Sequence, residues 1–229
     1  MIPLRDDIPS RKYPFINTLL IAINIAVFLW EITLPSYIRE NIFFKFGVLP
    51  YRFYNPNLLP SAILSLFTSM FLHGGWSHIV GNMIYLYIFG DNVEDAMGHF
   101  RYLFFYIISG IVAGLVQVLF SVNPYIPAIG ASGAIAGVLG AYIRFYPGAR
   151  ILTIALFGFF IDFIYIPAFI YLGLWFILQL FSGFFSLIFL DLSGGIAWWA
   201  HIGGFVFGFL ISKYFRKNIG ITIITIIFK

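Results

Sequence analysis

Ala128-Ile129-Gly130-Ala131-Ser132-Gly133-Ala134-Ile135-Ala136-Gly137 lies inside a charge-free run that extends from Tyr102 to Ile143. The run is about twice the length a bilayer span needs. Pro124 and Pro127 interrupt it, so it reads as two helices joined by a short turn. Gly130 lets the chain turn tightly into the second helix. Ser132 then falls in the first helical turn, where backbone N–H groups have no intrahelical partner. Two readings follow. Ser132 is either an N-cap on a small-residue packing helix, or a nucleophile whose hydroxyl sits beside donors for an oxyanion.

The chain around this stretch is 61% hydrophobic and 10% charged over 229 residues. A soluble domain cannot bury that much apolar surface, so the composition specifies a polytopic membrane protein. There is no cysteine, which excludes disulfides, thiol catalysis and cysteine-based metal sites. The net charge of +4 marks membrane-flanking loops rather than a nucleic-acid surface. Met1 to Pro14 is polar, and the first apolar segment is long enough to remain as a span, so no cleavable signal peptide is expected.

Hydropathy predicts six spans: about 15–34, 77–89, 102–120, 132–145, 167–187 and 197–214. Residues 1–14 read as a polar arm, 15–215 as the membrane domain and 216–229 as a tail. The fold expected is thus all-α, a six-transmembrane-helix bundle. Residues 35–60 are rich in aromatics and proline, which suits a first loop lying in the membrane interface. Asp91, Glu94, Asp95, His99 and Arg101 read as a polar turn after the second span. The apolar segment 151–161 is expected to lie along the interface or re-enter the membrane. The Ile/Thr-rich tail, 219–229, is too short to span and is expected to be interfacial or β-like.

Arg5, Arg11, Lys12, Arg101, Arg144, Arg150, Lys213, Arg216, Lys217 and Lys229 fall on the side of the termini. Only Arg39, Lys45 and Arg52 fall opposite, in the first loop. The excess of basic residues places both termini in the cytoplasm. Ser132 then sits just below the outer surface, at the start of an inward-running helix.

Polar groups inside membrane spans are costly and mark candidate sites. His78 and Asn82 are four apart and share one face of the second span. His201, Gly204 and Gly208 share a face of the sixth. Gly133, Gly137 and Ala141 repeat every four residues on the fourth. Two glycine-lined helices, one carrying a serine and the other a histidine, can pack backbone to backbone. Ser132 and His201 lie at similar depth, and a Ser–His hydrogen bond is the minimal activated nucleophile. Taken singly, His201 reads equally as a structural histidine bonding a carbonyl, and His78 and Asn82 as polar contacts between helices. His73, His78 and His201 could offer three metal ligands, but no acidic or fourth histidine ligand lies at their depth. No metal and no cofactor are expected.

These residues resemble the rhomboid intramembrane serine proteases. The resemblance covers about residues 67–210. His73-Gly74-Gly75-Trp76-Ser77-His78-Ile79-Val80-Gly81-Asn82 is similar to the family's HxxxN with its upstream histidine. Gly90, Glu94 and Gly98 are spaced like its GxxxExxxG. Gly130-Ala131-Ser132-Gly133 looks like its GxSG nucleophile motif, and Ala200-His201-Ile202-Gly203-Gly204 like its AHxxG. The four occur in the family's order. One departure is Ser61-Ala62-Ile63-Leu64-Ser65-Leu66, which lacks the Trp-Arg pair that many members carry shortly before the second span.

The resemblance implies a serine endopeptidase with a Ser132–His201 dyad, Ser132 as nucleophile and His201 as general base and then acid. No acidic residue is placed to orient His201, so packing against the glycine-lined fourth span is expected to hold its ring. The Ser132 N–H, His78 and Asn82 would form the oxyanion hole. Glu94 would act structurally, capping helix N-termini on the cytoplasmic side. The expected partners are single-span membrane proteins, cleaved where their helix unwinds near its outer end, together with the lipid bilayer. No nucleic-acid partner is expected, and the sequence leaves the oligomeric state open. The expected location is a prokaryotic plasma (inner) membrane. Two rival readings are a non-catalytic rhomboid-like protein that holds membrane clients, and a small proton-coupled transporter with His78 and His201 as relay groups. A transporter predicts repeat symmetry, and the chain has no matching pair of broken segments.

Overall fold

A computed structural model describes residues 2–157, 160–189 and 195–217. In chain order its elements are β1 (Ile2–Arg5), α1 (Phe15–Thr33), α2 (Ser36–Phe46), α3 (Leu59–Thr68), α4 (Trp76–Met97), α5 (His99–Phe120), α6 (Ser132–Phe145), β2 (Arg150–Phe157), β3 (Phe160–Pro167), α7 (Ala168–Ile188) and α8 (Trp198–Phe215). Among the described residues, α1, α5 and α7 are long and apolar enough to cross a bilayer. With the shorter apolar helices they make a mostly helical, multi-pass membrane protein.

Helix α6 is the centre of the bundle. Every residue from Gly133 to Tyr142 is buried, the pattern of a helix covered on all sides. It packs against α8, α5 and α4. Its 14 residues rise about 21 Å, short of the ~30 Å hydrocarbon thickness. The α6–α8 seam is backbone on backbone. A Cβ on Gly204 would strike the Gly133 carbonyl, and one on Gly208 would strike the Gly137 carbonyl. Only glycine lets two helices approach this closely.

Helix α1 carries a buried polar stripe, Asn17, Asn24 and Glu31, seven residues apart and so on one face. Asn17 accepts from Tyr102 Oη at 2.7 Å and donates to the Leu86 carbonyl at 2.9 Å. Glu94 caps α1: its two carboxylate oxygens accept from the N–H groups of Ile16 at 3.0 Å and Asn17 at 2.7 Å. His99 Nδ1 also contacts it. An anionic group at a helix N-terminus satisfies free donors and complements the helix dipole.

Several expectations need correction. The protein is not all-α, because β1, β2 and β3 form an antiparallel three-stranded sheet. Of residues 151–161, expected to be interfacial or re-entrant, 151–157 and 160–161 belong to strands β2 and β3, paired from Arg150↔Pro167 to Phe157↔Phe160. Ile151, Thr153 and Ala155 are buried while Leu152 and Ile154 are only partly so, the period-two alternation of a strand. The polar arm packs onto the rest of the chain. Its strand β1 pairs with β2, and Ser10 Oγ donates to Asp91 at 2.6 Å. Asp6 Oδ2 accepts from Asn92 Nδ2 at 2.9 Å and from Tyr142 Oη. The arm thereby ties the C-terminal parts of α4 and α6 together. Asp91, Glu94 and Asp95 lie within α4, which ends only at Gly98, where φ is +84°. The first loop is largely helical, comprising α2, a 3₁₀ turn at Pro50–Tyr54 and α3. Ser61–Leu66, where the Trp-Arg pair is missing, lies on α3. The Ile/Thr-rich tail, 219–229, falls outside the described residues.

Candidate active site

The loop before α6 is fastened from outside. Val48 and Ala128 exchange both backbone hydrogen bonds at 2.9 Å, and the Gly130 N–H donates to the Ser69 carbonyl at 2.8 Å. Gly130 has φ +121°, a region that L side chains rarely enter. The space where its side chain would stand is filled by His78 Nε2, with Asn82 Nδ2 a little further off. Ser132 follows as the first residue of α6. The cap itself is Ala131, with no side-chain cap hydrogen bond. Ser132 Oγ is therefore not a capping group; it lies 2.8 Å from His201 Nε2.

His201 is buried on α8. Its second nitrogen, Nδ1, lies 2.8 Å from Gln179 Oε1 on α7. The Trp175 ring stands 5.9 Å from the imidazole and the Trp198 ring 6.3 Å, the latter edge-on. The imidazole is thus held by a hydrogen bond as well as by packing, which corrects the expectation that packing against α6 alone would hold it. The Ala200 N–H at the start of α8 is shared between the Ala197 carbonyl at 3.0 Å and Gln117 Oε1 at 3.2 Å.

His78 and Asn82 face the same space from α4. His78 Nδ1 accepts a long 3.4 Å bond from the Gly74 N–H, which leaves its proton on Nε2, the nitrogen beside Gly130. Asn82 Nδ2 lies 3.0 Å from His73 Nε2, so one of its two N–H groups goes to His73 and the other remains. The backbone N–H of His73 in turn donates to Glu31 Oε2 at 3.3 Å.

Ser132, His201, His78 and Asn82 all line one cavity of about 650 Å³, which Tyr85 and Trp175 also border. Its size is that of a small-molecule or peptide-binding cleft. A buried imidazole within hydrogen-bond reach of a hydroxyl can take its proton, and the two N–H donors that line the same cavity can receive an oxyanion. Gly133 and Gly204 lie in the seam that brings α6 and α8 together, and Glu94 lies at the far end of α4. Three residues escaped the sequence reading. Gln179 carried a signal: it is the one amide in the apolar α7 and lies one helical turn from Trp175. Glu31 and Asn17 also carried one, in their heptad spacing. The pairing of Asn82 with His73 had none beyond the motif itself.

Comparison with known proteins bears on this site. A family model described as Rhomboid domain matches residues 60–218. RHOMBOID-like protein 5 of Arabidopsis thaliana is 38% identical over 78 residues, 34% of this chain and 25% of that protein. The human presenilin-associated rhomboid-like protein, mitochondrial, is 27% identical over 205 residues, 85% of this chain and 47% of that protein. Rhomboid-like protein 11, chloroplastic, of Arabidopsis thaliana is 38% identical over 71 residues, 31% of this chain and 25% of that protein. The chain spans about half or less of the length of the curated relatives it matches.

Proposed function

This chain belongs to the rhomboid family, and on that premise we propose that it is an intramembrane serine endopeptidase. The observation that carries the reading is the 2.8 Å approach of Ser132 Oγ to His201 Nε2. In the proposed reaction His201 Nε2 takes the Ser132 proton as Oγ attacks the scissile carbonyl. The tetrahedral oxyanion is met by the first-turn N–H of Ser132, by His78 Nε2–H and by the free N–H of Asn82. His201 then hands its proton to the departing amine, which leaves an acyl group on Ser132. Water, activated by the same imidazole, releases the acid.

The substrate must offer an extended backbone, because a continuous helix presents no free peptide group. A single-span protein whose helix opens near one membrane face fits that requirement and the short α6. The proposed arrangement counts α1, α4, α5, α6, α7 and α8 as six spans, with a core of about 67–210. Both termini then share the cytoplasmic side, where the basic residues lie. The relatives' names place them in mitochondria and chloroplasts, which lends no support to a prokaryotic plasma membrane.

A labelled fluorophosphonate tests the reading, since it reacts with an activated serine only. Labelling of the wild type that disappears in Ser132→Ala is expected. Absence of labelling in folded wild-type protein would favour a rhomboid-like protein that holds clients without cutting them.

A further inference from the structure

We propose that Gln179 is a positioning residue that fixes His201 in the one tautomer able to deprotonate Ser132. The inference deepens the protease reading and rests on it for its catalytic consequence.

A neutral imidazole carries a single N–H, on either nitrogen. If His201 carried it on Nε2, the ring would donate to Ser132 Oγ and could not take its proton. The partner of Nδ1 decides between the two forms. That partner is Gln179, whose amide could in principle present either its oxygen or its NH2. The Trp175 carbonyl removes the ambiguity. It lies 3.2 Å from Gln179 Nε2, and a carbonyl oxygen only accepts, so the NH2 must face it. Oε1 is then turned to His201 Nδ1 at 2.8 Å, an acceptor that requires the proton on Nδ1. The lone pair of Nε2 is left facing Ser132 Oγ. Donation runs in one direction: Ser132 O–H to His201 Nε2, His201 Nδ1–H to Gln179 Oε1, Gln179 N–H to the Trp175 carbonyl.

The anchor of this chain is the α7 backbone, one turn before Gln179, and backbone geometry is stiffer than that of a side chain. Gln179 is 6% exposed and His201 9%, so water does not readily replace either bond. The choice of an amide also has a physical reason. A carboxylate at this depth would be an expensive buried charge, whereas an amide orients the ring at no such cost. Trp175 and Trp198 confine the tilt of the ring but cannot select a tautomer, because neither ring offers an acceptor to Nδ1.

The test uses the full-length protein labelled with ¹⁵N-histidine, at about pH 8, above the ordinary histidine range. The ¹⁵N shifts report which nitrogen bears the proton, and loss of one signal set in His201→Ala assigns His201. The wild type is expected to show Nδ1–H. Gln179→Met keeps the chain length but removes the acceptor; it is expected to lose that preference. Its kcat should fall about ten- to a hundredfold, as when a metal-ligating histidine loses the hydrogen-bond partner that fixes its tautomer, with KM within about twofold. Gln179→Glu retains an acceptor and should keep both the Nδ1–H form and most of kcat. A wild type with its proton on Nε2 overturns the proposal, whatever any variant does. So does a folded Gln179→Met protein that keeps both Nδ1–H and wild-type kcat. If the wild type cleaves nothing, the protease reading fails while the tautomer measurement still decides the role of Gln179.

Discussion

Gly204 on α8 lies directly against the carbonyl of Gly133 on α6, with no room for a methyl group between them. Gly133 is the neighbour of Ser132, and Gly204 is one turn beyond His201. The closeness of the two backbones therefore sets the distance between hydroxyl and imidazole. Gly204→Ala is expected to push the helices apart. Overpacking of this kind costs about 1–3 kcal/mol, and the protein should melt at a lower temperature in detergent. The folded fraction should also label more slowly with a fluorophosphonate. Unchanged melting and labelling would show that the seam yields freely.

Ser132→Ala should abolish cleavage of a model single-span substrate and leave the melting temperature close to that of the wild type. The hydroxyl bonds His201 but caps nothing, since Ala131 holds the cap position. A cleavage assay alongside a thermal melt checks both halves. Full activity in the variant would end the nucleophile assignment.

Asn82 carries two duties in this geometry, and its variants should separate them. One N–H goes to His73 Nε2 at 3.0 Å; the other is the proposed oxyanion donor. Asn82→Ala should thus lower stability, by about 1–3 kcal/mol for a buried acceptor left without its donor, and lower kcat much more than it raises KM. Asn82→Asp should be no better, because a carboxylate faces the developing charge without a donor. His73→Ala removes only the structural duty, so it should destabilise with a smaller loss of kcat. Equal kcat losses in His73→Ala and Asn82→Ala, measured on folded protein, would count against the oxyanion role.

Asp6 gives a pH dependence with an unusual sign. Burial raises its pKa from 3.8 to about 6, against the opposing pull of its hydrogen bond from Tyr142. The folded protein therefore holds the Asp6 proton more tightly than the unfolded chain. This contribution to stability is fully present below about pH 4 and is lost as pH rises through about 6. Asp6→Asn should flatten the dependence over that window and make the protein more stable than wild type at neutral pH. Asp7 acts in the opposite sense. The Arg150 backbone N–H holds its carboxylate below its usual range, so its contribution is present at neutral pH and fades on acidification. Melting temperatures of the wild type, Asp6→Asn and Asp7→Asn, from about pH 2 to 8, test the two signs, the Asp7 contribution fading only below its ordinary pKa of 3.8. A flat wild-type profile with no change in Asp6→Asn would refute the assignment.

The sequence by itself determined which long apolar segments are helices and that Ser132 and His201 both lie in the first turns of theirs. Hydropathy and glycine spacing are local records: they state which residues a helix can leave in lipid and which face admits another backbone. The predicted 132–145 coincides with α6, and the glycine rows of α6 and α8 meet as their spacing implied. Residues 150–167 were harder, although the alternation at Ile151, Thr153 and Ala155 is written in the chain. An apolar stretch beside membrane spans satisfies helix and strand alike, and the partner strand β1 lies some 150 residues away. Gln179 shows the limit most clearly. Nothing near it in the chain says what its amide meets, because His201 is 22 positions away on a different helix. A side chain's periodicity tells which way it points. Only the packing of α7 on α8 decides that it points at Nδ1, since a hydrogen bond depends on angles and ångströms between elements that the chain order does not encode.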